Sequence, residues 1–141
     1  MDENMLRYAN QKRQMESQAD FLRGEIQKLQ AKIDCLLEQG YTYKKFSLDY
    51  EQMIEKSRWK LSQLQSGSSK KIVKSYIDRM DGLYSGNKRR NLFSSINDLL
   101  YRANQEIYRL EILIMEKKQE LNTLEISIDN LIFQMRRMEV L

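Results

Sequence analysis

No proline interrupts this chain of 141 residues, and two long stretches carry apolar side chains at alternating steps of three and four. In the first stretch Ala19, Leu22, Ile26, Leu29, Ile33 and Leu36 recur in this way, and Gly40 and Tyr43 continue the phase. In the second, Ile96, Leu100, Ala103, Ile107, Leu110 and Ile114 are followed by Leu121, Leu124, Ile128, Leu131, Met135 and Met138. Such spacing keeps one stripe on one side of an α-helix, the seam along which long helices pack. Without proline nothing forces those helices to stop. The pattern predicts an all-α chain: an elongated antiparallel helical hairpin with a coiled-coil stalk.

A chain of this length is expected to form one domain, residues 1–141. Charged residues make up 31% and hydrophobic ones 41%, and apolar content held in strict register argues for folding rather than disorder. Start and stop signals place a long helix over about 4–64, a shorter one over about 69–84 and a second long one over about 92–140. Gly40 falls on the seam and predicts a bend or a close helix contact. The run Gln65-Ser66-Gly67-Ser68-Ser69 predicts the break after the first helix. Ile72, Val73, Tyr76, Ile77, Met80 and Leu83 carry the short helix, and Asn91 is a good N-cap for the last one.

Folding the chain about residue 78 sets Leu64 against Leu92 and residue 40 near residue 116. Ten of the aromatic side chains, Tyr41, Tyr43, Phe46, Tyr50, Trp59, Tyr76, Tyr84, Phe93, Tyr101 and Tyr108, lie in the middle of the sequence. Bulky rings suit a thicker core, which predicts a three-helix head at the turn end. Ile26 and Ile33 at heptad position a, with Leu22, Leu29 and Leu36 at d, also suit parallel dimers. A homodimeric structural rod therefore stays open beside the intramolecular hairpin.

Little here supports chemistry, and the expectation is a protein that is no enzyme. Histidine is absent and Cys35 is the only cysteine. The commonest general base is missing, a zinc site cannot be built, and no glycine-rich phosphate loop occurs. No metal and no cofactor is expected. Cys35, at heptad position c, reads as a small hydrophobe in a chain made in a reducing compartment. No apolar run is long enough to span a bilayer, and Met1-Asp2-Glu3-Asn4 is unlike a signal peptide. These features predict a cytoplasmic protein, exportable with a partner by a leaderless route.

Two features point to binding. With Ile107 and Ile114 at a, position f of the last helix holds Ile112, Ile126 and Phe133, with Leu113 and Ile132 beside them. A two-helix stalk leaves such residues wet, and an outward apolar stripe suits a partner helix. The second feature is charge. Residues 66–95 carry seven Lys/Arg against two Asp/Glu, while the remaining chain is nearly balanced. Lys70, Lys71, Lys74 and Arg79 lead to Lys88, Arg89 and Arg90, a possible-anion cluster that would suit nucleic acid or an anionic surface, with binding that fades in salt. The simpler role for those cations is a solubilising tip.

The long helix, Trp59 ahead of Gly67 at the turn, the amphipathic Ile72–Leu83 segment, and Ser94-Ser95-Ile96-Asn97 opening a heptad-bearing last helix together resemble the WXG-like helical proteins of type VII secretion. The chain is more similar to the accessory proteins encoded beside LXG toxins of Gram-positive bacteria, the Lap and YwqH-like group. Trp59 and Gly67 stand eight residues apart, whereas the family motif has one residue between them. The Tyr-x-x-x-Asp/Glu export signal is absent, since Gln105 follows Tyr101 and Ile112 follows Tyr108 at that spacing. The resemblance implies a targeting or chaperone-like accessory that holds the helical N-terminal domain of an LXG toxin, with a second small helical accessory addressing the secretion machine.

Overall fold

A computed structural model describes residues 3–67 and 71–140. They form three α-helices: α1 (Glu3–Gly67), α2 (Lys71–Ser85) and α3 (Asn87–Val140). Among the described residues there is no strand. Two of the helices are long, and α1 continues through Gly40 and through Gly67 at the expected break. Ser68, Ser69 and Lys70 lie outside the described residues, as do the side chains of Leu83 and Tyr84.

The start of α3 differs from the sequence expectation by a full turn and more. The helix begins at Asn87 rather than near Leu92, so Asn91 lies inside it and caps nothing. Gly86 is the reason. Its carbonyl accepts the backbone N–H of Arg90 at 3.4 Å, which makes Gly86 the residue that opens α3. A Cβ placed on Gly86 would stand 2.5 Å from the Gly82 carbonyl oxygen. Only glycine lets the end of α2 and the start of α3 approach so closely, and one residue is enough to separate the two helices.

The chain divides into two compact units, Met1–Cys35 with Glu106–Leu141, and Leu36–Gln105. In the first unit, Ala19, Leu22, Leu29 and Ile33 of α1 and Leu110, Ile114 and Leu131 of α3 are buried. These are a and d positions, and the remaining a and d residues of both segments, from Met5 to Met138, are half-buried. Arg23 ties the two segments together across the seam, donating to Glu125 at 3.1 Å and to Asp20 of its own helix at 2.9 Å. Exposed pairs of this kind contribute about 1 kcal/mol or less, so they fix register more than they stabilise.

In the second unit the core is made by Ile54, Leu61, Ile77 and Ile96. Arg58 of α1 pairs with Asp81 of α2 at 2.9 Å. Tyr50 meets Phe93 of α3 edge to face at 5.7 Å, and the Gly40 backbone lies beside Leu100. As the α1 number falls, its partner's number rises, so α2 and then α3 run antiparallel to α1 within this unit. Each pair is centred within two residues of position 70, between the end of α1 and the start of α2. The fold about residue 78 is thereby corrected: residue 40 faces Leu100, because α2 already belongs to the returning arm.

The aromatic core expected near the turn is also corrected. Among the described rings of this group, Tyr41, Phe46, Trp59, Tyr76, Tyr101 and Tyr108 are exposed, and Tyr43, Tyr50 and Phe93 are half-buried. Along α1 the returning helices cover one face, and branched aliphatic side chains fill it. The rings flank that face or stand away from it.

The glycines separate packing from helix propensity. A methyl group at Gly24 meets nothing within 4 Å, and at Gly40 it makes ordinary contact with a Leu100 methyl at 3.7 Å. Gly24→Ala and Gly40→Ala are each expected to raise unfolding free energy by about 0.5–1 kcal/mol. Gly86→Ala is expected to lower it by about 1–3 kcal/mol, since backbone must move to admit the methyl. Urea unfolding followed by circular dichroism checks the three signs. Equal effects at all three would remove the special role of Gly86.

Candidate docking surface

Burial of Leu110 and Ile114 fixes how α3 is rotated in the first unit, and this decides which side chains point outward. The f positions lie almost opposite the seam. Ile112, Ile126 and Phe133 are there, 39%, 53% and 62% exposed. Leu113 and Ile132, at the shoulders of the stripe, are half-buried. Tyr108 and Met115 add to the outward flank and are exposed. With Ile112 they stand three and four residues apart, which brings all three onto one patch. The Arg137 guanidinium lies over the Phe133 ring, 6.0 Å from its centre, and leaves most of the ring in water.

Sequence reasoning passed over Phe21, which is exposed on α1 in a shallow depression with Ser17, Leu22, Lys117, Glu120 and Leu124. It also read Tyr41 and Trp59 as core. With Leu37 and Leu48 they form an exposed stripe on α1 in the second unit, at spacings of four, seven and eleven residues. Those spacings return to one face of a helix. The signal was present, because each of the four falls out of phase with the buried Ile54 and Leu61.

Trp59 and Gly67, expected to mark a turn, both belong to α1, and Trp59 is 64% exposed. Lys88, Arg89 and Arg90 were expected in a loop and instead occupy the first turn of α3. Lys88 and Arg90 are exposed, whereas Arg89 is half-buried with its guanidinium 5.5 Å from the Phe93 ring centre. Phe93 in turn meets Tyr50, and Tyr50 stacks on Phe46 at 6.2 Å. Arg89 therefore ends an aromatic ladder between α1 and α3. Asp98 shares the depression beside Arg89 and Arg90, which weakens this place as an anion site.

Among the described residues, no group of three or more His, Cys, Asp or Glu is placed to hold a metal ion. Among the same residues, no helix is long and apolar enough to cross a membrane. Cys35 is exposed rather than tucked beside the seam. The clearest electrostatic feature is on α3, where Arg109 donates through Nε to Glu106 at 2.9 Å and makes a second bond through its other guanidinium nitrogen. The Arg109 hydrogen bond holds the Glu106 carboxyl below its usual value, and the nearby charges of Arg109 and of Lys32 on α1 act in the same direction. Arg109 itself is raised by the same bond.

Because folding lowers the Glu106 value, the pair supports the helix above the ordinary glutamate range and is lost as pH falls through the lowered value. Arg109→Gln is expected to move the Glu106 titration upward with little change in helicity. Carboxyl NMR titration measures this, and an unmoved midpoint would show that the fork does not persist in solution. Comparison with known protein families, curated proteins and solved structures finds no match to this chain.

Proposed function

We propose that this protein is a non-enzymatic, chaperone-like accessory that lays a long amphipathic helix of a partner along the outward flank of α3. The observation that carries the reading is the exposure of Ile112, Ile126 and Phe133 at heptad f positions of a helix whose a and d positions are already covered. A helix needs apolar residues on a second face only if that face meets something. Leu113 and Ile132 form the shoulders against which the partner's side chains pack. Recognition of this kind is read through residues at steps of three, four and seven.

In this reading α1 and α3 are the arms of an antiparallel hairpin with a coiled-coil seam, and α2 belongs to its turn end. The partner class follows from the resemblance to LXG-toxin accessories. It is the helical N-terminal domain of an LXG-type toxin destined for type VII secretion, with a second small helical accessory as a further subunit. Association also stabilises a chain whose exposed large apolar side chains, among the described residues, outnumber its buried ones.

The test is co-purification with such a toxin domain, followed by light scattering on a sizing column. Ile126→Asp with Phe133→Asp is expected to weaken the complex by about 30-fold to 1000-fold while the helical circular dichroism signal stays, because two central apolar anchors are lost. A complex of undiminished affinity would sink the α3 surface. A wild-type chain that runs as a dimer and ignores the toxin domain would favour the homodimeric rod.

A further inference from the structure

The outer face of α2 combines an apolar centre with a cationic border and has no part in the α3 surface. Ile72 is 84% exposed and Tyr76, one turn later, is 55% exposed. They share a shallow depression with Lys71, Ser75 and Arg79. These five residues stand at successive steps of one and three, so they belong to one side of the helix. Among the described side chains of α2, Ile77 is buried, and Val73 and Met80 beside it are half-buried. Ile72 and Tyr76 thus widen the apolar face well beyond the part that packs inward.

The charge lining this depression has one sign. Lys71 and Arg79 close its two ends, while exposed Lys74 lies on the far side of the helix, about 160° around from Ile72 and Tyr76. No carboxylate lines the depression. Asp78 is on the side of the helix nearer Lys71 and Lys74, and Asp81 is held by Arg58 of α1. Exposed Lys88 and Arg90 follow on the first turn of α3.

We propose that α2 is an interfacial helix that seats this chain on an anionic lipid bilayer, with Ile72 and Tyr76 entering the headgroup boundary and Lys71 and Arg79 meeting lipid phosphates. A specific protein interface needs on the order of 1000 Å² of complementary surface. Two apolar side chains fall far short of that. A bilayer requires no matching groove: bulky apolar residues insert, and flanking cations add to the attraction one by one. Tyrosine suits the boundary because its ring is apolar and its hydroxyl is wet.

The test uses the full chain and sucrose-loaded vesicles of phosphatidylcholine containing about one-third phosphatidylglycerol. Sedimentation with these vesicles is expected at about 50 mM salt and is expected to fall steeply at about 500 mM. Pure phosphatidylcholine vesicles are expected to leave the chain in the supernatant. Each of Lys71→Glu and Arg79→Glu is expected to reduce the partition coefficient about fivefold or more, and Ile72→Ser about tenfold. All three positions are exposed, and retained helicity by circular dichroism shows that the fold survives. Binding that depends on the cations but is unmoved by Ile72→Ser would overturn insertion. A single-stranded oligonucleotide that binds more tightly than the vesicles, and depends on the same cations, would assign the face to nucleic acid instead. Ile126→Asp/Phe133→Asp is expected to leave vesicle binding unchanged, so the α2 and α3 surfaces fail or stand separately.

Discussion

A seam one side chain deep is the constraint from which the rest follows. Where two helices lie side by side, only a and d positions are removed from water, and the others remain at the shoulders or outside. In the first unit this leaves Ala19, Leu22, Leu29, Ile33, Leu110, Ile114 and Leu131 to provide the core. A fully covered leucine or isoleucine contributes about 1.5–3 kcal/mol, so few such residues support much helix. The seam also fixes rotation. Once Leu110 and Ile114 are turned inward, the outward direction of Ile112 is no longer free.

The seam was the legible part of the sequence, because alternating steps of three and four are a direct image of helix geometry. It identified the two long helices and named Leu22, Leu29, Ile33, Leu110 and Ile114 as inward-facing. Register was not legible. A heptad repeat is nearly unchanged by a shift of seven residues, so Ile107 or Leu121 could serve equally well opposite a given leucine. Within each unit the registration is marked by particular groups, Arg23 with Glu125 in the first and Arg58 with Asp81 and Tyr50 with Phe93 in the second, that leave no periodic signature. The same limit applies to Gly86. Its role depends on the Gly82 carbonyl oxygen one turn earlier, whereas the sequence shows only a glycine among several turn-forming residues.

Aromatic placement was misread for a related reason. Size suggests burial, but Trp and Tyr are large and amphipathic, and they are rarely enclosed completely even in compact proteins. Tyr41 and Trp59 fall on the same face as Leu37 and Leu48 and out of phase with Ile54. Phase was the stronger signal, and composition overrode it. The candidate surface on α3 came from phase alone, which is why its residues could be named from the sequence.

Helix propensity adds an independent reason to read the outward residues as selected for contact. At a wet helical position packing decides nothing, and Lys, Glu, Gln or Ala serve the helix best. Isoleucine, phenylalanine, tyrosine and tryptophan are poorer choices by about 0.3–0.6 kcal/mol each, and they add apolar area exposed to water. The chain nevertheless places Ile72 and Tyr76 on α2, and Ile112, Ile126 and Phe133 on α3, where all are exposed. A local choice that works against the fold needs a compensating gain elsewhere. On α3 the exposed residues repeat at helical intervals among charges of both signs, Glu116 beside Ile112 and Arg137 beside Phe133, as a second helix would require. On α2 they are confined to one short helix and bordered by cations, as a charged interface would require. The two departures from the best helical sequence differ in kind, as the two proposed contacts require.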